Sequence, residues 1–362
     1  MILEVNGTPY DFFTSISANI RLDALSREFS FVATRTNGTD LPFRGGESCR
    51  VLDGDDALAS GHIERLDVSY DQASHGIALS GRDNTGDIVD SSIVDMSDLS
   101  APITLRRCVQ RVIANIGADI DVIDDAGGVN FQRAADLIAP EPGQNAFDFL
   151  ETLARRRQVL LTSNGDGDVV LTRAATAQSQ GRLQNVPGAS DNNIIASTTS
   201  YDGTGRYHNY QFVSALNPIA LNLGGGATDV GEVVAQRASV TDASVREGRQ
   251  LGLQSEASQS NAVNQERAQW EANLRRARGR LYSATVQGFR EVPGGELWGV
   301  NKLIPVVDTF AGIDGTMLIS GVAFAYSQAN GSTTTLTLVP PEAYTLALDE
   351  PIADEVGDGF LS

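Results

Sequence analysis

Between Leu303 and Val339 apolar side chains alternate with small or polar ones, and Asx-Gly dipeptides interrupt the alternation at Asp314-Gly315 and Asn330-Gly331. A period of two puts one face of a strand in a core, and Asx-Gly supplies the positive φ of tight hairpin turns. The segment therefore predicts an antiparallel meander of three strands, Leu303–Val307, Met317–Tyr326 and Thr333–Val339. Leu336 and Leu338 share one face of the last strand, Thr335 and Thr337 the other. Such a pattern commits this part of the chain to an antiparallel β architecture.

A polar helix is predicted just before it, over about 259–281. Val263, Trp270, Leu274, Ala277 and Leu281 recur at spacings of 7, 4, 3 and 4, which makes a narrow apolar stripe. Glu271 and Arg275 stand at i,i+4, and Arg275, Arg276, Arg278 and Arg280 crowd the C-terminal half, where positive charge complements the helix dipole. So narrow a stripe suits a helix docked on one sheet or one neighbouring subunit. Trp270, Arg275, Arg276, Arg278 and Arg280 are the candidate interface residues.

The first hundred residues also read as β. Glu28–Val32 alternates, Asn6-Gly7 and Asn37-Gly38 mark turns, and Ile63–Tyr70 and Ile77–Ser80 form a further pair, together a compact antiparallel barrel or sandwich. The character changes near residue 100. Thr104 can cap a helix whose Leu105, Cys108, Val109, Val112, Ile113 and Ile116 fall at helical spacing up to Gly117. A second helix is predicted from Asn145 to Gln158, with Arg155-Arg156-Arg157 in its last turn, and then a hairpin of Val159–Thr162 against Val169–Thr172. Residues 176–262 are rich in Gln, Ser, Asn and Gly; strands are expected near Ala196–Ser200 and Tyr207–Val213, a glycine loop at Leu223–Ala227, and irregular chain from Thr241 to Gly252. An internal echo links Leu58-Ala59-Ser60-Gly61 with Leu318-Ile319-Ser320-Gly321, each followed by a Tyr and then by a Gln-Ala turn, so one β unit could be present twice.

Reaction chemistry finds little support. His62, His75 and His208 have no metal-ligand spacing, no Gly-x-Ser-x-Gly elbow occurs, and neither Cys49 nor Cys108 is near a His in sequence. The two cysteines read as buried thiols of a protein made in a reducing cytosol. Asn164–Asp168 imitates calcium-site spacing, but Val169 stands at the required glycine and Ala175 at the bidentate glutamate, so it reads as a hairpin turn. Asp119, Asp121, Asp124 and Asp125 read as a solvated loop. Asn301 precedes Lys302, the only lysine, so no Walker A loop exists. A net charge of −19 over 362 residues opposes nucleic-acid binding as the main task, because affinity for a duplex comes from counterions released by Lys and Arg. No apolar run is long enough to span a bilayer, and no secretory signal is visible at the N-terminus. No cofactor, metal or catalytic residue is expected. A carbohydrate- or receptor-binding β protein and a wall hydrolase using two carboxylates are the alternatives.

Ser80-Gly81-Arg82-Asp83-Asn84-Thr85-Gly86-Asp87-Ile88-Val89-Asp90-Ser91 resembles a segment of the Mu-like phage tail protein gpP family, the baseplate hub. The second helix with its Asp/Gly hairpin, the segment Ile194–Gln211, the Trp270 helix and the ending Leu336–Tyr344 resemble that family in the same order. Gly81, Arg82, Asp83, Gly86 and Asp87 are the motif residues, structural rather than catalytic. The resemblance implies a mainly β protein with an α+β insert. It would hold a first tube-protein-like antiparallel β-barrel over 1–95, a mixed α/β domain over 96–185, and a second tube-like barrel with the long helix over 186–345. It further implies a homotrimeric ring that adapts a six-fold tail tube to a three-fold central spike, touches other baseplate proteins, and lets DNA through its lumen in the virion. The acidic tail of 346–362 has no counterpart in it.

Overall fold

The computed structural model describes residues 1–35, 44–70, 75–94, 99–131, 140–155, 157, 159–175, 177–214, 237–255 and 261–344. The Asn37-Gly38 turn, the glycine loop at Leu223–Ala227, the Val263 side chain and the acidic tail lie outside them. Contacts divide the chain into a larger unit of residues 1–155, 159–200 and 280–341 and a smaller one built on Tyr201–Gly279.

The N-terminal part of the larger unit is all β: β1 (Ile2–Val5), β2 (Thr8–Tyr10), β3 (Ser15–Arg21), β4 (Glu28–Arg35), β5 (Ser48–Asp53), β6 (Asp56–Tyr70) and β7 (His75–Asp83). Their alternation is the reason: Ile16, Ala18 and Ile20 of β3 are buried and their neighbours are not. The insert follows, with α1 (Gly86–Asp90), β8 (Ile103–Thr104), α2 (Leu105–Ile116), β9 (Val122–Asp124), β10 (Asn130–Phe131), α3 (Ala146–Arg155), β11 (Leu160–Ser163) and β12 (Val169–Thr172). The Thr104 side chain accepts from Arg107 N at 3.0 Å, and Gly117 ends α2 with φ 74°, a conformation that only glycine adopts readily. Asn145 caps α3 by accepting from Asp148 N at 3.1 Å. The insert has its own core, in which Cys108, Val109 and Val112 of α2 meet Phe149, Leu150 and Leu153 of α3 over Leu161 and Leu171.

Short β13 (Ala177–Gln178), β14 (Leu183–Asn185) and β15 (Ile194–Tyr201) lead to the smaller unit. There β16 (Asn209–Ser214) is flanked by β17 (Arg237–Thr241) and β18 (Gln250–Ser255), and α4 (Asn261–Arg278) packs on β16 and β17. Part of the expected irregular stretch from Thr241 to Gly252 is thus strand: β18 pairs in parallel with β16 through six residue pairs, a partnership between segments some forty residues apart that local pattern does not carry. The chain then returns with β19 (Arg280–Gln287), β20 (Lys302–Asp308), β21 (Ile313–Ser327) and β22 (Gly331–Val339).

The expected meander is present, but its first turn is shifted. Asp314 and Gly315 lie inside β21, opposite Val307 and Val306, and the turn falls at 309–312. Buried Asp308 is the cause, since its carboxylate accepts from Phe310 N at 3.1 Å and Ala311 N at 3.2 Å and Gly312 supplies φ 66°. The Asn330-Gly331 turn stands where the sequence puts it.

The chain is mainly β, yet no closed barrel is found among the described residues. The strands of both halves join one 14-stranded sheet with the path β15-β19-β22-β21-β3-β4-β7-β6-β5-β1-β2, while β13 and β14 pair with β20 beside it. The halves meet where β21 pairs antiparallel with β3, from Gly321 opposite Arg21 to Ser327 opposite Ser15. A single core runs across this seam, from Leu3, Phe31 and Leu79 to Ile304, Phe324 and Leu336. Burial of each such side chain contributes about 1.5–3 kcal/mol. Arg290 adds a polar tie, at 2.7 Å from Asp56 and 3.5 Å from Asp53.

The internal echo has a geometric counterpart. Strands β3, β4, β5, β6 and β7 have 7, 8, 6, 15 and 9 residues, and β15, β19, β20, β21 and β22 have 8, 8, 7, 15 and 9. Neighbour order is the same in both sets. Each 15-residue strand carries a register shift against its hairpin partner, between Ile63 and Arg65 or between Ile319 and Gly321, and each echo serine, Ser60 or Ser320, is buried.

Candidate functional site

The motif Gly81–Asp87 occupies the join between the N-terminal strands and the insert. Gly81 and Gly61 are demanded by the close crossing of β6 and β7. A Cβ on Gly81 would lie 2.0 Å from His62 O, and one on Gly61 would lie 2.0 Å from Arg82 O. Arg82 grips both sides: its Nε donates to Glu64 Oε1 at 2.8 Å, and its Nη1 to Asp90 Oδ1, at the end of α1, at 3.1 Å. The hydrogen bond from Arg82 holds the Asp90 carboxyl below the usual carboxylate range.

Asp83 is buried and accepts from Ser26 Oγ at 3.0 Å, Thr85 Oγ1 at 2.6 Å and Ser163 Oγ at 2.5 Å. Next to it Arg27 donates to Leu58 O at 2.8 Å and, through Nη2, to Ser163 O at 2.6 Å. Burial pulls the Arg27 guanidinium down to about 10, with the field of Asp83 acting against it. The strand pair and the insert hairpin are thus fastened through one carboxylate and one guanidinium. Sequence reading singles out Asp83 but misses Arg27, Ser26 and Ser163, whose partnership spans up to 136 positions. Gly86 and Asp87 take lesser parts. A Cβ on Gly86 would meet Arg82 Cβ at an ordinary 3.4 Å, and Asp87 is exposed in the first turn of α1.

The Asn164–Asp168 loop docks on the same join. Asn164 Oδ1 accepts from Asp166 N at 3.0 Å and Asp168 N at 2.9 Å, a self-contained Asx turn. Its glycines are forced by β6: a Cβ on Gly165 would lie 2.0 Å from Ala57 O, and one on Gly167, at φ 86°, would lie 2.5 Å from Ser60 O. Among the described residues no group of three His, Cys, Asp or Glu side chains could hold a metal ion.

The arginine helix belongs to the smaller unit. Its buried side is Asn264, Ala268, Ala272, Leu274 and Ala277, and Trp270 is half-buried. Leu281 is exposed and stands in β19 rather than on the helix. Arg275 pairs with Glu271, donates to Gly205 O at 3.2 Å and lies 5.5 Å from the centre of the Tyr207 ring. Arg276 is 3.4 Å from Asp242, which Arg206 also holds at 2.8 Å. Burial opposes the charge of Asp242, but bonds from Ser244 and Arg206 and the field of Arg276 outweigh it and hold the carboxyl far below its usual range. Arg278 is exposed at the end of α4, and Arg280 is exposed at the start of β19. Lone Lys302 is spent on structure, 2.7 Å from buried Glu291, which also accepts from Gln180 N at 2.6 Å.

Three family models match successive parts of the chain. They are the Mu phage baseplate assembly protein GpP-like N-terminal domain over residues 1–83, the baseplate hub protein gp44-like second domain over 85–173, and the Mu phage baseplate assembly protein GpP fourth domain over 260–347. The break between the first two falls at Asn84, inside the motif. Baseplate hub protein gp44 of Escherichia phage Mu is 22% identical over 351 residues, which is 96% of this chain and 89% of that protein. The 43 kDa tail protein of prophage MuSo2 from Shewanella oneidensis aligns with TM-score 0.79 and 28% identity, covering 95% of this chain and 99% of the other. A tail protein from Neisseria meningitidis MC58 aligns with TM-score 0.77 and 20% identity, covering 96% and 98%.

Proposed function

This chain belongs to the Mu-like gpP family of baseplate hub proteins, and from that membership we propose a structural part at the centre of a contractile-tail baseplate. Three copies close into a ring. Each copy contributes two five-strand blocks, one within residues 1–95 and one within 186–345, with the α/β insert of 96–185 between them. Three chains then present six similar blocks to a six-fold tail tube on one face and a three-fold body to a central spike on the other. The observation that carries this reading is the repeat, β3–β7 against β15 and β19–β22, with matched lengths and the same neighbour order. A duplicated block is what lets a three-fold ring meet a six-fold one, because cyclic symmetry then supplies equivalent contacts twice per chain.

The partners in this reading are further copies of the chain, the tail tube, the spike and adjoining baseplate proteins, in the virion tail. Exposed Arg278 and half-buried Trp270 on α4 face one of these neighbours. DNA meets the chain only in passage, and a net charge of −19 keeps a passing polyanion from being gripped. The role is mechanical rather than catalytic. Removing the gene from a phage-producing strain tests it: tails without assembled baseplates are expected, and complete infectious particles would overturn the reading.

A further inference from the structure

A cavity of 690 Å³ lies in the larger unit, where the ends of β15 and β19 meet the hairpin of residues 289–298. Trp298 N donates to Phe289 O at 3.0 Å and Glu291 N to Glu296 O at 2.9 Å, which closes that hairpin. The size falls within the range of about 300–1,000 Å³ in which proteins hold compact ligands. Ile194, Val286, Phe289 and Val292 give the cavity apolar walls. Ile195, 58% exposed, and exposed Pro293 mark where it opens to solvent.

The polar walls are engaged within the chain. Arg290 holds Asp53 and Asp56, and Glu291 is paired with Lys302. Gln287 Nε2 donates to Ser332 O at 2.7 Å, and Asn193 accepts from Gln184 N and donates to Arg182 O. Trp298 is the exception. It is 3% exposed, and its Nε1–H is buried without an acceptor among the described residues. Buried donors are otherwise satisfied, so this one marks a contact completed from outside. A lone water does not complete it, because a buried water needs about two to four polar partners and the other polar walls are taken. The charged walls are already paired with their opposites, which favours a neutral ligand over an ion. What fits is a hydrogen-bond acceptor on an apolar body. A peptide carries both within one residue, as a main-chain carbonyl and a bulky side chain, and its flanks would cover Ile195 and Pro293 at the mouth.

We propose that this cavity seats a segment of a neighbouring baseplate protein other than this chain. One bulky apolar side chain enters between Val286, Phe289 and Val292, and a main-chain carbonyl accepts from Trp298 Nε1. The inference rests on the hub reading and gives that hub a specific partner site.

Tails assembled with full-length protein carrying photoreactive benzoylphenylalanine in place of Ile195 or Pro293 test it under irradiation. A covalent adduct with a different tail protein is expected, at least about ten-fold above the yield from the same probe at Asp87, which is exposed in α1. Peptide mapping should place that adduct on a segment with a bulky apolar residue. Trp298→Phe, which removes the donor, and Val292→Trp, which fills the cavity, should each lower the yield at least about ten-fold in tails that contain the variant. Adducts that join only copies of this chain, that match the Asp87 control, or that persist undiminished in both variants overturn the site and leave the hub reading intact. A chain absent from purified tails overturns both.

Discussion

Asp83 shows why a motif without chemistry can still be indispensable. Its carboxylate accepts three hydroxyl hydrogen bonds from Ser26, Thr85 and Ser163, one from each of three separate segments, and balances partly buried Arg27. Asp83→Ala strands those donors and leaves Arg27 without its nearest opposite charge, and a loss of about 2–4 kcal/mol is expected in urea unfolding. Asp87→Ala, in the exposed first turn of α1, should change stability by no more than about 0.5 kcal/mol. The motif glycines separate in the same way. Gly81→Ala drives a methyl into His62 O and should cost about 3 kcal/mol. Gly86→Ala meets only ordinary contact and replaces a glycine within a helix, so it should be neutral or stabilise by up to about 1 kcal/mol. Melting curves of the two variants side by side decide the point.

At the scale of elements, α4 is held to its small sheet by charge as much as by apolar packing. Its buried face is mostly alanine, and buried Asp242 collects Arg206 and Arg276. Asp242→Asn keeps the size of the side chain but removes the charge. Amide exchange should rise in 237–241 and 261–278 and stay unchanged in β3–β7; uniform exchange across the chain would contradict this anchoring role. Elements also mark how far sequence reading reaches. The capped α2 was legible because Thr104 and Gly117 act within a few residues of the helix they bound. The turn after β20 was not, because Asp308 is drawn inward by Tyr282, Ser197 and Asn185, which come from other strands, and the turn follows the carboxylate rather than the nearest Asx-Gly. For the same reason Asp83 was visible in the motif and Arg27 was not.

For the whole molecule, the two barrels expected from the sequence meet as one sheet because β3 and β21 find each other across some three hundred residues, a pairing that no local pattern encodes. The acidic composition has its own consequence. Asp90, Asp242 and Asp308 all have carboxyls held below the ordinary range, so each stabilises the folded chain above that range and ceases to do so as pH falls through its folded value. The melting temperature should stay nearly level from about pH 8 to 5.5 and drop below about pH 4; a profile that rises on acidification would contradict the assignment. The central claim, that a duplicated β block makes this hub protein a three-fold ring with six similar faces, is tested most directly by solution mass combined with averaged particle images. The account expects the mass of three chains and rings with three-fold symmetry carrying a strong six-fold modulation. A stable monomer, or a ring of any other order, would contradict it.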